Sequence, residues 1–298
     1  MQKDIIFTLH HACIYDTQPR DTVWPLLRWR HGITNYLHND PGQKSLHHIS
    51  DEGWVDYTFL GCGSRFLLQL EAPPFQFEYE QNWFAKHGRG INHVCWTVNN
   101  AKAAFDRLVE AGATIAQEYT EFGLYNGFVV MDPEGCWIEI MEYTHSVYKS
   151  PMFETWPHGW FGLQMLGVTE VCADLDATCD WYCAAMDLRK VFEGKEGDAR
   201  IIYLADHDYD PQERNIVMAL CTPRNSEEAR RFEEVGPFIS AINYTAMDLH
   251  EAYAEALKSE LESVSPPAKD SLTGAETFRI REMNGNILEV RERFQPAA

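Results

Sequence analysis

Positive charge is scarce in this chain of 298 residues: 25 Lys and Arg stand against 45 Asp and Glu, a formal net charge of −20 at pH 7. A field of that sign repels phosphate backbones and anionic lipid, which argues against nucleic-acid and membrane-surface partners. No run approaches the ~18 apolar residues that a membrane span requires. The opening MQKDIIF lacks the apolar stretch and small-residue cleavage site of an export signal, so a cytoplasmic location is expected. No CxxC pair occurs among the eight cysteines, and several stand inside apolar runs such as HVCWTV and CWIEI. They read as reduced core residues, neither a disulfide frame nor a zinc knuckle. Cys179 and Cys183, four apart in a predicted helix, could share a face, but two thiols do not make a metal site. With 45% hydrophobic and 23% charged residues, long disorder is not expected, and the length suits about two domains of roughly 150 residues.

What is present is a repeated plan. INHVCWTV (91–98) has the pattern of a strand, and Asn100 can cap a helix over AKAAFDRLVEAG whose buried face carries Phe105, Leu108 and Val109. Gly112 stops that helix, and NGFVVMDPEGCWIEIMEY (126–143) supplies strand, turn and strand. The result is one βαβββ unit. A second copy is read near 166–221 and a third near 238–291, with a helix over 249–261, GNILEV (285–290) paralleling GCWIEI (135–140). The first 75 residues fit the same plan with a longer middle: FTLHHACIY (7–15) as first strand and 55–74 as a hairpin. The expected fold is α+β, four βαβββ modules paired into two domains with concave mixed sheets. The first domain is expected over 1–145 and the second over 165–298, joined by the aromatic, Pro-bearing segment 146–164. SVSPPAKDSLTG (263–274) reads as a surface loop.

Alternate side chains of a strand share a face. A His early in the first strand and an acid or amide in the last strand of one unit can therefore meet in a concave sheet. The first unit offers His11 and Gln69, the second His93 and Glu139. Two imidazoles, a carboxylate and an amide oxygen suit one divalent ion, with Zn, Co, Ni, Mn and Fe(II) all open. Strict alternation sends His10 to the opposite face from His11, as a structural residue. Glu71 is the runner-up fourth ligand, and Glu142 is out of phase with Glu139, a solvated end.

At these residues the sequence resembles the vicinal oxygen chelate superfamily, which includes glyoxalase I, methylmalonyl-CoA epimerase and the type I extradiol dioxygenases. QLEAPP (69–74), WFAKHGRGINHVCWTV (83–98) and DPEGCWIEI (132–140) follow the order of the epimerase branch. The family's His, Gln, His and Glu ligand set maps onto His11, Gln69, His93 and Glu139. The strands LGVTEVCADLD (166–176) and FISAINYTAMD (238–248) carry no His, and Glu289 stands alone in GNILEV. The second half is thus expected to be degenerate, a scaffold or lid. This departs from extradiol dioxygenases, whose working site the resemblance places in the C-terminal half.

The first unit has 58 residues from His11 to Gln69 against 46 from His93 to Glu139, so 12 are inserted. The insertion carries His31, Tyr36, His38, His47, His48, Asp51 and Glu52, with Tyr57 just past it. His47, His48 and Glu52, beside Glu139, are the candidate proton-transfer groups, with Asp51 not separated from them. Trp24, Trp29, Tyr36, Tyr57, Trp96, Phe122 and Tyr125 flank the site segments and would line it for a small planar substrate. Tyr36, Tyr57, Trp96, Phe122 and Tyr125 are the candidate substrate contacts. The leading expectation is a metal-dependent isomerase, epimerase or lyase that chelates two substrate oxygens and stabilises an enolate. An Fe(II) extradiol-type dioxygenase using the same N-terminal triad is the alternative, and a metal-free, ligand-sequestering protein of the bleomycin-resistance type a third. A small molecule is the expected partner, with homodimer formation open.

Overall fold

The computed structural model describes residues 5–17, 26, 29, 57–61, 67–71, 78–123, 125–144, 164–207, 216–270 and 273–292. The first seven strands are β1 (Phe7–Tyr15), β2 (Tyr57–Gly61), β3 (Leu67–Glu71), β4 (Gly90–Val98), β5 (Thr114–Glu121), β6 (Tyr125–Met131) and β7 (Trp137–Tyr143). They form one mixed sheet in the order β2-β3-β1-β4-β7-β6-β5. Helices α1 (Glu78–His87) and α2 (Ala101–Glu110) belong to this half. The second sheet is built from β8 (Gln164–Val171), β9 (Arg189–Glu196), β10 (Ala199–Ala205), β11 (Met218–Cys221), β12 (Phe238–Ala246), β13 (Glu262–Lys269), β14 (Glu276–Arg281) and β15 (Ile287–Glu292). Its order is β13-β14-β15-β12-β8-β11-β10-β9, with helices α3 (Leu175–Met186), α4 (Ser226–Val235) and α5 (Leu249–Lys258). Each unit closes by pairing its first strand parallel to its last, β1 with β3, β4 with β7, β8 with β11 and β12 with β15. The two first strands of each half meet antiparallel at the sheet centre. This is the expected α+β plan of four modules in two curled sheets.

Local chemistry explains the helix boundaries. The Asn100 side chain accepts from Ala103 N at the start of α2, while Asp174, Asn225 and Asp248 play the same part for α3, α4 and α5. Glu142, expected to be a solvated end, accepts a hydrogen bond from Ala101 N at 3.0 Å and reinforces that first turn. On α2 the buried residues are Ala101, Ala104 and Leu108, and Val109 is exposed, a correction to its expected burial. Of the segment 263–274, expected to be a surface loop, residues 263–269 belong to the edge strand β13. Its prolines fall at a register break between Ser265 and Ala268, where a missing N–H costs no ladder bond.

One apolar cluster runs through both halves, from Phe7, Leu9, Ala12 and Ile14 of β1 to Ile280 and Val290. Trp29, expected beside the site, is fully buried instead: its Nε1 donates to Ala252 O at 2.8 Å, tying the N-terminal segment to α5. Polar contacts also join the halves. The Glu134 carboxylate accepts from Ala173 N, Asp174 N and Thr178 Oγ1 at the start of α3. Tyr182 Oη lies 2.9 Å from Asp132 and 3.2 Å from Glu170. At the other junction Asn284 Nδ2 donates to Asp16 Oδ2 at 2.8 Å. Among the described residues no helix is long and apolar enough to cross a membrane, and their seven cysteines are free.

Candidate metal centre

Two register irregularities between β1 and β4 shape the site. The pairing steps from Leu9 opposite Trp96 to His11 opposite Cys95, leaving His10 as an extra residue. It steps again from Cys13 opposite His93 to Ile14 opposite Ile91, leaving Asn92 as the extra residue. A bulge reverses the face on which later residues stand. On β1 the core-facing residues accordingly switch from Phe7 and Leu9 to Ala12 and Ile14, and on β4 from Ile91 to Val94, Trp96 and Val98. His10 and His11 therefore share the concave face, as do Asn92 and His93. The expectation that His10 points away from His11 is corrected: its Nδ1 lies 2.8 Å from His11 Nδ1. Trp96, expected to contact substrate, is corrected by the same parity, since it is fully buried on the opposite face among core residues.

The concave face carries two lateral rows. His11, Cys95 and Glu139 form one across β1, β4 and β7; Gln69, Cys13, His93 and Trp137 form the next across β3, β1, β4 and β7. Each row has a cysteine at its middle, small enough to let longer neighbours lean over it. Reading these thiols as plain core missed their place; their spacing, two residues beyond each His, was the available signal. His11 Nε2 stands 3.3 Å from Glu139 Oε2, and His93 Nε2 3.6 Å from the same oxygen. One ligand atom from each of His11, His93 and Glu139 lies within 4.8 Å of the others. Gln69 adjoins His11, bearing on its imidazole. Gln69 Oε1 and His93 Nε2 are buried without a hydrogen bond of ordinary geometry. Glu71 faces the same hollow one pair further along, opposite Tyr15, with Cys13 Sγ 3.7 Å from its Oε2, outside the three-residue cluster.

Electrostatics prepares these groups for a cation. Burial pushes the His11 imidazole down, more than the neighbouring Glu139 raises it. Burial would push Glu139 up, but hydrogen bonding and charge from His11 and His93 hold it well below the usual carboxylate range. Its side chain keeps 23% of its surface exposed. Behind the imidazoles, His93 Nδ1 donates to Asn92 Oδ1 at 2.6 Å, and Tyr143 Oη lies 3.1 Å from His10 Nε2. Such partners aim imidazoles at metals.

Aromatic residues of α1 and β7 wall the hollow: Tyr79 packs on Trp137 with ring centroids 5.0 Å apart, and Trp83 meets Tyr15 edge-on at 5.5 Å. Phe122 and Tyr125 stack at 4.7 Å, and burial and the nearby Glu139 push the Tyr125 phenol up. The structure thus brings together His11, Gln69, His93 and Glu139, with Tyr125 beside them. His47, His48, Asp51, Glu52 and Tyr36 lie outside the described residues, and of Tyr57 only the backbone, in β2, is described.

Residues 32–130 match the family described as the Glyoxalase/Bleomycin resistance protein/Dioxygenase superfamily. Gln69 and His93 fall inside that span, His11 and Glu139 outside it. No curated protein matches the chain in sequence. Among solved structures, a mutant of 4-hydroxymandelate synthase from Streptomyces coelicolor is similar with a TM-score of 0.70 at 13% identity, covering 99% of this chain and 95% of that one. The 2,2',3-trihydroxybiphenyl 1,2-dioxygenase of Sphingomonas wittichii gives 0.65 at 12% identity, over 97% of this chain and 91% of its own. The 2,3-dioxygenase LapB of Pseudomonas sp. KL28 gives 0.62 at 12% identity, over 97% and 93%.

Proposed function

We propose that this chain, similar over residues 32–130 to the Glyoxalase/Bleomycin resistance protein/Dioxygenase superfamily and gathering His11, His93 and Glu139 on its first sheet, is an Fe(II)-dependent oxygenase acting on a small phenolic substrate. The observation that carries this reading is the convergence of two imidazole nitrogens and one carboxylate oxygen within 4.8 Å. That donor set is the two-histidine, one-carboxylate triad of non-haem iron sites, which leaves positions for substrate oxygens. The donors fit: burial disfavours a charged His11 imidazole, the Glu139 carboxyl is held well below the usual carboxylate range, and His93 Nε2, 3.6 Å from Glu139 Oε2, is buried without a hydrogen bond of ordinary geometry. When bound, ferrous iron supplies the one-electron chemistry that couples O₂ to an electron-rich ring. The chain's own part is to hold and orient the site. Tyr79 and Trp83 pack against Trp137, which stands beside His93 on the sheet, and Phe122 with Tyr125 offers a flat stacked surface. The similar structures bear names of enzymes of aromatic substrates, which supports the same choice.

This reverses the order of the two enzyme readings expected from the residues alone. The isomerase or lyase reading keeps one observation in its favour, the buried and unbonded Gln69 Oε1, which would complete a four-donor set for Zn, Co, Ni or Mn. Anaerobic loading of the purified chain with each metal decides between them. One equivalent of Fe(II), with O₂ consumed on adding a catechol and both lost in His11→Ala and His93→Ala, is the expected result. Turnover of a hydroxy-carbonyl substrate with cobalt or zinc and no O₂ uptake would establish the second reading. A chain that takes up no metal defeats both.

A further inference from the structure

The two metal-facing imidazoles are backed differently. Behind His93 stands an amide, with Asn92 Oδ1 2.6 Å from Nδ1. A carbonyl oxygen only accepts, so His93 carries its proton on Nδ1. Behind His11 stands a second imidazole, with the two Nδ1 atoms 2.8 Å apart. At that distance there is room for one proton between them, and either ring can own it. The outer nitrogen of His10 in turn meets Tyr143 Oη at 3.1 Å, and that of His11 meets Glu139 Oε2 at 3.3 Å. Tyr143, His10, His11 and Glu139 are therefore one continuous chain of hydrogen-bonding groups.

That chain has two complete orders with the same number of protons. In one, Tyr143 Oη–H donates to His10 Nε2, His10 Nδ1–H donates to His11 Nδ1, and His11 Nε2–H donates to Glu139. In the other, His11 Nδ1–H donates to His10 Nδ1 and His10 Nε2–H donates to Tyr143 Oη, which leaves a bare lone pair on His11 Nε2. Resting on the metal reading above, we infer that His10 is a positioning residue that changes tautomer when the site fills, with Tyr143 as its outer partner. Without metal the first order holds, because the buried carboxylate of Glu139 needs a donor and His11 Nε2 is the nearer imidazole nitrogen, at 3.3 Å against 3.6 Å for His93 Nε2. With metal the second holds, because a ligating nitrogen cannot carry a proton. Both orders hold the same three protons, one on the Tyr143 oxygen and one on each ring, so the change releases none: each imidazole carries its proton on its other nitrogen and the Tyr143 hydroxyl turns away from His10. The bulges are what make the arrangement possible: each extra residue, His10 or Asn92, stands on the same face as the imidazole that follows it.

The test is two-bond ¹H–¹⁵N correlation spectroscopy on histidine-labelled full-length protein, first metal-free and then loaded with diamagnetic zinc. The expected result is His10 as the Nδ1–H tautomer without zinc and Nε2–H with it, although it is not itself a ligand, while His93 stays Nδ1–H throughout. Zinc affinity, measured by competition with a chromogenic chelator, gives the second readout. His10→Phe should weaken binding about 10- to 100-fold. His10→Asn, which copies the amide behind His93, should recover most of that loss while abolishing the tautomer change, and metal-free thermal melts check that both variants fold. A His10 that keeps one tautomer in a protein that does bind zinc overturns the inference and leaves the metal reading standing, as does His10→Phe binding zinc like the parent. A parent chain that binds no zinc overturns both.

Discussion

The two sheets are built alike and filled differently. Sheet two repeats the bulges of sheet one: β12 steps from Ile239 opposite Glu170 to Ala241 opposite Thr169, leaving Ser240 extra, and a second step leaves Leu166 extra. Counting from these bulges, His11 corresponds to Gly167, His93 to Ala241, Gln69 to Ala219 and Glu139 to Glu289. The mid-row thiols Cys95 and Cys13 correspond to Asn243 and Thr169, which bond each other at 3.1 Å. Glu289 is the one group retained, and around it stand Arg224, Arg279 and Arg291 at 2.9, 2.7 and 2.7 Å. Burial would push its carboxyl up, but these guanidiniums hold it far below the usual range. The lesson is that a carboxylate buried on a concave sheet must be answered by a cation. In sheet two, three side chains provide the positive charge; in sheet one two imidazoles flank the carboxylate, and a metal ion held by them would add to it.

The largest expected effect breaks that contrast. Glu289→Ala leaves three guanidiniums around an unanswered space and should destabilise the chain by about 3–5 kcal/mol in urea titration. Glu139→Gln, measured without metal, should cost about 1 kcal/mol or less, since an amide can still accept from a neighbouring imidazole and no guanidinium loses its partner. Equal losses would dissolve the distinction. Next is Gly167: a Cβ there would stand 1.9 Å from Val217 O, so the position that mirrors His11 admits no side chain without backbone movement. Gly167→His should cost about 3 kcal/mol and create no metal binding in titration calorimetry.

A further effect, smaller than those of Glu289→Ala and Gly167→His, is pH-dependent and sits where the halves join. Burial pushes Asp132 up to about 6 beside Glu170, also raised, and pushes Glu282 up to about 7 near Asp16. A carboxyl whose folded value exceeds its unfolded one adds stability below the unfolded value and loses it as pH rises through the folded one. The chain should therefore lose stability from about pH 4 to pH 7, and Asp132→Asn should remove about 2 kcal/mol of that slope. Urea midpoints at pH 5 and pH 8 that show no such difference between parent and variant would refute the assignment.

The four-module plan was legible because each unit repeats its caps, turns and apolar strands locally. The parallel between GCWIEI and GNILEV was visible too, and it correctly paired Glu139 with Glu289. What misled was strict alternation. The spacing of apolar residues in FTLHHACI, with Phe7 and Leu9 followed by Ala12 and Ile14, changes parity, as does Ile91 followed by Val94 and Trp96. That change marks the bulges, and following it would have put His10 on the site face. Trp96 would have fallen on the core face by the same count.

By itself, then, the order of residues determined which short segments become strands and helices, and which chemical types each strand carries, because backbone preference and apolar period act over a few positions. Tertiary structure alone decided that His11, His93 and Glu139 meet within a few ångströms while Glu289 meets arginines from three separate places in the chain. Such meetings depend on register between distant strands, and a single extra residue in one of them reverses every face beyond it.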